Sequence, residues 1–316
     1  MSCGWPMSSG RDDLEGPRAA SVLLPVYNAG RHLAQAVESV LNQTFKNFEV
    51  LLLNDGSVDN SLQILNSFAS TDRRCRVHSW SNRGLIATLN AGLELAETEF
   101  IIRMDADDIC RPQRFEKQVS FLRSHPDHVA VGTRALLIDA DGMPIVEMMD
   151  SYSHEEIERA LFSGRVGIMH PSAMIRADAL KLIGGYRPGF PHAEDMDLFL
   201  RLSEVGRLAN LPEVLLDYRQ HLASVGYQYA EQQWTSARNA VLDACKRRGI
   251  AWADVENKMG PHLRPQTSSD IHRKWGWWAL RGGNLQTARK HTFQALKSRP
   301  LSLENWRLAA CVLRGH

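Results

Sequence analysis

The residues best equipped for chemistry form one short run, Arg103-Met104-Asp105-Ala106-Asp107-Asp108, which closes an apolar, strand-like segment at 99–104. Carboxylates at the carboxyl end of a buried strand demand a cation. Hard divalent ions such as Mg²⁺ or Mn²⁺ take oxygen ligands and commonly share them with substrate phosphates, so Asp-x-Asp at a strand end reads as a clamp for a metal-bound diphosphate. An isolated acidic turn is more often a solvated loop, so the weight rests on what surrounds it. Five cysteines, at 3, 75, 110, 245 and 311, are odd in number, widely spaced and without C-x-x-C, which argues against a zinc site or a disulfide scaffold.

The elements that must position this loop can be read from periodicity. Residues 19–27 are an apolar run closed by Asn28-Ala29-Gly30, and Leu33, Ala36, Val37, Val40 and Leu41 follow at helical spacing. Residues 48–53 repeat the pattern, ending in Asn54-Asp55-Gly56-Ser57 before a helix carrying Leu62, Ile64, Leu65 and Phe68. A third strand at 76–80 and a helix at 85–96 lead to the strand that delivers the acidic run. This alternation predicts an α/β fold with a mostly parallel sheet flanked by helices, and every polar loop named so far falls at one sheet edge. A helix at 113–124, a hairpin of 129–138 with 144–148, segments at 170–175 and 214–219, and a helix at 194–202 come next. Only helical signals follow about residue 227.

Six stretches in this order resemble the family 2 inverting glycosyltransferases of GT-A, Rossmann-like fold: SVLLPVYNAGRHLAQAVESVLNQTFKNFEVLLLNDGSVDNS (21–61), SNRGLIATLNAGLELA (81–96), RMDADD (103–108), HPSAMIR (170–176), GGYRPGFPHAEDMDLFLRL (184–202) and LLDYRQHLASVG (215–226). The resemblance covers about residues 19–226. It implies a nucleotide diphosphate sugar donor, a UDP-sugar by preference, whose base is held by Pro25, Val26, Tyr27, Asn28 and Asp55. Asp55 can accept from a pyrimidine imide N–H, and its competing role is turn formation. Gly84 permits close backbone approach and Arg83 is expected to face anionic oxygens. Asp59 is either a donor contact or the cap of the helix after it.

By the same resemblance Asp105 and Asp107 hold Mn²⁺ or Mg²⁺, with Asp107 the more direct ligand, His221 is a further metal or phosphate contact, and Arg219 neutralises phosphate. Asp108 is expected to cap the helix near Pro112 or bind water. The general base falls in Ala193-Glu194-Asp195. Asp195 is first choice and Glu194 second, kept ionised by the helix dipole, with Asp197 structural. His170 and Pro171 line the acceptor side. YRQH stands where processive synthases carry a glutamine-and-tryptophan motif, so single transfers to a glycan or lipid-linked glycan, in cell-surface polysaccharide assembly, are expected. The competing class is a catalytically silent sugar-nucleotide-binding module with a partner-recruiting tail.

The domain plan is a disordered leader (1–18), a GT-A domain (19–226) and a basic, Trp-rich helical region (227–316) with one tetratricopeptide-like hairpin. From Thr235 to His316 there are 15 Lys or Arg against 5 Asp or Glu, while the residues before it carry 22 against 31. Six of the eight tryptophans also lie at or beyond Trp234. Basic and aromatic residues together suit peripheral contact with an anionic membrane, against the competing reading of a packed appendage. No recognised motif accompanies the charge, so no nucleic acid is expected. No stretch reaches the length of a membrane span, and a reducing, cytoplasmic setting at the inner membrane face is expected.

Overall fold

The structure is a computed structural model that describes residues 17–148, 150–260 and 266–315. The expected leader lies outside the described residues except for Pro17 and Arg18. The apolar runs become β1 (Ala20–Val26), β2 (Phe48–Asp55) and β4 (Phe100–Arg103), joined through α1 (Leu33–Leu41), α2 (Ser61–Thr71), β3 (Cys75–Trp80) and α3 (Leu85–Leu95). Next come β5 (Ile109–Cys110), α4 (Arg114–Ser124), the hairpin β6 (His128–Ile138) and β7 (Pro144–Met148), α5 (His154–Phe162), β8 (Met174–Arg176), α6 (Ala177–Leu182), α7 (Glu194–Leu202) and β9 (Arg207–Arg219). Six helices and helical turns follow among the described residues: α8 (Val225–Gln228), α9 (Ala230–Arg248), α10 (Ala253–Glu256), α11 (Ser268–Arg281), α12 (Leu285–Ser298) and α13 (Leu303–Arg314).

The strands form one sheet in the order β3-β2-β1-β4-β8-β6-β9-β5, with β7 paired to β6. β3, β2, β1 and β4 run parallel, as do β6 and β9, while β8, β5 and β7 are antiparallel to their neighbours. Following these pairings across the sheet, all strands but β8, β5 and β7 point one way, so the mostly parallel α/β plan holds. The period of two sends alternate residues to opposite layers. Leu23, Leu51 and Leu53 pack with Leu89, Leu180 and Phe199, whereas Val22, Leu24, Val50 and Leu52 pack with Leu33, Val37 and Phe115. A third cluster joins Leu137 and Ile145 of the hairpin to Ile271, Trp275, Ala288, Leu308 and Val312 of the C-terminal helices.

Two elements exceed the sequence reading. β9 begins at Arg207 rather than 214, because parallel pairing with β6 outweighs the breaking tendency of Asn210 and Pro212, with register irregularities around Thr133 and Arg134. α5 opens on a capping box in which Ser153 accepts from Glu156 N, a Ser-x-x-Glu signal present in the sequence. Among the described residues, no helix is long and apolar enough to cross a membrane.

Candidate active site

The acidic loop leaves β4 under the control of three arginines. Arg114 is fully buried, and its Nη2 donates to the carbonyls of Arg103 (2.9 Å) and Ala173 (3.3 Å), fixing the strand end. Arg103 is buried too; it donates through Nη1 to Met104 O and through Nη2 to Asp105 Oδ1 at 2.6 Å. Arg219 is the third. Its Nε donates to Asp107 O (2.8 Å), Nη1 to Asp139 O and Ala140 O (3.2 and 3.4 Å), and Nη2 to Gln35 Oε1 (3.0 Å). A guanidinium with four protein acceptors organises the loop, and Arg219 also lines the cleft described next. Asp108 does not cap the helix near Pro112: it is buried, with Oδ1 accepting from Arg219 N at 2.7 Å and Oδ2 left without a protein partner.

These ties leave Asp107 facing a cleft of about 950 Å³, with its Oδ2 3.3 Å from His221 Nε2. Asp105 lines the same cleft. Burial, reinforced by repulsion from Asp107 and opposed by Arg103, pushes the Asp105 carboxyl up. Asp108 is pushed well up by burial and both neighbouring carboxylates. Such a crowd of like charge is stable only with a cation nearby or protons bound. Among the described residues, no three His, Cys, Asp or Glu side chains form a metal cage. Two carboxylates and an imidazole in an open cleft still fit an ion that keeps most of its coordination for substrate phosphate and water, as Mg²⁺ and Mn²⁺ do.

The second acidic group reaches the cleft from the start of α7. Ala193, not an acid, occupies the N-cap, which removes simple capping as the role of Glu194 or Asp195. Asp195 Oδ1 accepts from Met196 N at 2.7 Å, and both acids line the cleft. Burial works against the helix dipole at both carboxyls, raising Asp195 from its usual range and pushing Glu194 up to about 7, with Asp195 adding repulsion at Glu194. Asp197 is structural as expected, buried between Arg201 (2.7 Å) and Arg187, which also pairs with Asp243. The residue before the Ala-Glu-Asp run, His192, has φ of 64° and stacks on Tyr229 with centroids 4.4 Å apart, so the loop is held in a conformation few non-glycine residues adopt. His170 Nε2 lies 2.8 Å from Tyr186 Oη, and burial together with Arg103 holds the imidazole well below its usual pKa, hence neutral.

The expected base-binding residues lie beside the cleft rather than in its lining. Both Asp55 oxygens accept backbone N–H groups, Oδ1 from Arg83 (2.8 Å) and Oδ2 from Gly84 (3.0 Å). Turn formation is therefore what Asp55 does here; a base contact would use its remaining lone pairs. That turn presents Arg83, whose guanidinium lies 3.9 Å over the Trp80 ring and which lines the cleft. Val26 is a correction, because its side chain is buried in the core and offers a ligand only its backbone. Tyr27 is exposed, Pro25 half-buried, and Asn28 Oδ1 accepts from Val58 N. Asp59 serves the helix start, accepting from Ser61 N and Gly30 N.

Sequence reading missed Arg103 and a wall supplied by the tail: Tyr227, Lys274 and Trp278 also line the cleft. A basic strand-end residue beside Asp-x-Asp was a usable signal for Arg103. Nothing in the local sequence marks Lys274 or Trp278.

Sheet order, the clamped acidic loop and the carboxylates opening α7 define an α/β protein of GT-A type. Residues 21–184 match the glycosyl transferase family 2, and the chain belongs to that family. It is 34% identical over 257 residues to EpsE of Bacillus subtilis, named as a glycosyltransferase, covering 79% of this chain and 89% of that one. Among solved structures it is similar to S. aureus TarS 1–349 in complex with UDP-GlcNAc (TM-score 0.59, 17% identity, 94% of this chain and 89% of that one). A longer TarS chain is covered over 54% of its length. It is also similar to the mannosyltransferase PcManGT of Pyrobaculum calidifontis with GDP-Man and Mn²⁺ (TM-score 0.54, 16% identity, 96% and 81%). At these identities the structural likenesses speak for the fold.

Proposed function

We propose that this chain transfers a single sugar, with inversion, from a nucleotide diphosphate sugar to a glycan or lipid-linked glycan in cell-surface polysaccharide assembly at the cytoplasmic face of the membrane. The observation that carries the reading is that Asp105, Asp107 and His221 line one cleft with Glu194 and Asp195. Asp107, Asp105 and His221 are the residues that would hold Mn²⁺ or Mg²⁺. The bound cation supplies electrostatic stabilisation of the departing diphosphate. Asp195 Oδ1 is engaged by Met196 N, so Oδ2 is the oxygen that takes the acceptor hydroxyl proton as that hydroxyl attacks the anomeric carbon. Glu194 beside it sets the charge state in which Asp195 works. Neutral His170 orients the acceptor hydroxyl. For the donor we favour a UDP-sugar, held by Arg83 on Trp80 and the Asp55 turn. A lipid-linked acceptor is supported by exposed Leu301, Leu303, Trp306 and Leu313, which suit an interfacial contact beside the basic residues of the tail.

The test is donor hydrolysis and binding across a panel of nucleotide sugars with Mn²⁺, Mg²⁺ or EDTA, for wild type, Asp107→Ala and Asp195→Asn. The expected result is one preferred donor turned over only with metal, loss of binding and turnover in Asp107→Ala, and retained binding with turnover down roughly 10²–10⁴-fold in Asp195→Asn. Equal binding in EDTA and no effect of either substitution on turnover would replace this reading with the silent binding module.

A further inference from the structure

Lys274 reaches the cleft from α11, outside every stretch that resembles the family. Its Nζ lies 4.5 Å from the Trp278 ring centroid and 5.2 Å from that of Tyr227. Tyr227 is itself fixed, donating from Oη to Gln220 Oε1 at 3.0 Å and accepting from Trp275 Nε1 at 2.8 Å. Several other cations of the C-terminal region are paired: Lys290 with Asp139 and Asp141, Arg247 with Glu204, Arg248 with Glu158, Arg273 with Asp270. Among the described residues, the half-buried Lys274 ammonium has neither an ion pair nor a hydrogen-bond partner. Burial lowers its pKa and no cleft carboxylate acts to raise it, which separates it from the Asp105, Asp107, Glu194 and Asp195 charges. Lys274 and Trp278 also border a second hollow of about 640 Å³, lined as well by Trp277, Leu280 and Arg281.

Withdrawing a cation partly from water is unfavourable without a counter-charge, and two aromatic faces compensate only in part. The donor's diphosphate is met by the acidic loop, which leaves the acceptor as the source of the missing charge. We propose that this end of the cleft is an oxyanion subsite in which Lys274 receives an acidic group of the acceptor, either a sugar carboxylate or the phosphate of a lipid carrier. The proposal rests on the transferase reading above, and its ligand class is what that reading leaves open.

Calorimetry on the full chain with UDP and Mn²⁺ present separates the cases. The probes are methyl glucuronide against methyl glucoside, and glucosyl citronellyl diphosphate against citronellyl glucoside. Wild type is expected to bind at least one acidic compound about tenfold more tightly than its neutral counterpart, and the favoured acid identifies the source. Lys274→Met should erase that preference and keep the neutral compound's affinity, while Lys274→Arg restores it. Wild-type binding that does not favour either acid, a preference that survives Lys274→Met, or a loss of UDP affinity in its place overturns the proposal. Failure of wild type to hydrolyse any donor is a separate result, and it removes the transferase reading itself.

Discussion

Glu194 and Asp195 hold their carboxyl groups in a buried, like-charged corner, so the proposed catalytic pair weakens the fold that carries it. Glu194 is raised from 4.5 to about 7, first by burial and then by Asp195. A carboxyl with a raised folded pKa binds more protons folded than unfolded between those two values. Stability therefore falls as pH rises through the window, and the deficit is complete above it. Glu194→Gln removes the charge and keeps the shape. In metal-free protein it should be more stable than wild type at pH 8 by on the order of 1–3 kcal/mol, with the difference gone near pH 4.5. Urea denaturation at both pH values measures this; a gain that is the same at both would mean that packing, not ionisation, is responsible. Turnover should fall in the same variant, because the proton balance with Asp195 is disturbed.

At the scale of elements, the acidic loop is held less by its own sequence than by β9 and the β6–β7 turn arriving behind it. Arg219 N and guanidinium together tie Asp107, Asp108, Asp139, Ala140 and Gln35. Lysine keeps the charge but loses the planar fork, and carbonyls left without donors cost about 1–3 kcal/mol. Arg219→Lys is thus expected to lower stability by about that much and to raise the metal concentration needed for half-maximal turnover. If Arg219 were a phosphate ligand, the variant would instead unfold at the wild-type urea concentration while donor affinity changed. The same residue shows where sequence reading stops. Runs such as 48–53 announce buried strands, and Asp105, Asp107, Glu194 and Asp195 announce an acidic cleft, because residue type and order suffice for both. What Arg219 donates to cannot be read that way: its acceptors lie between 79 and 184 residues away in sequence. Val26 looked like a pocket residue because it lies in the motif, yet strand alternation turns its side chain into the core. Lys274 was illegible for the opposite reason, since one lysine in a basic helix has no local mark of the cleft it faces.

Over the whole molecule, the opposed charges of the two parts of the chain meet at defined points, and the most buried of them lies behind the candidate active site. Asp139, buried in the β6–β7 turn, has its Oδ2 2.5 Å from Lys290 Nζ and 3.2 Å from His291 Nε2, and its Oδ1 accepts from the backbone of Asp141 and Met143. Burial pushes its carboxyl up, but His291, Lys290 and the backbone N–H groups win and hold it well below the usual range. A depressed folded pKa contributes stability above the unfolded value, and that contribution is lost as pH falls through the folded one. Lys290→Met leaves a buried carboxylate without its nearest cation, so it should cost about 3 kcal/mol at pH 7, and the cost should shrink as the solution is acidified below about pH 4. Asp139 O also accepts from Arg219, which grips Asp107 O, so the variant should need more Mn²⁺ for half-maximal turnover although residue 290 lies outside the cleft lining. Urea unfolding of wild type, Lys290→Met, Asp139→Asn and the double variant, with a metal titration of turnover on each, measures both effects. Additive losses across the cycle would show that the two residues act independently; a double variant close to Asp139→Asn alone would show that the basic helices and the catalytic sheet are held together through this pair.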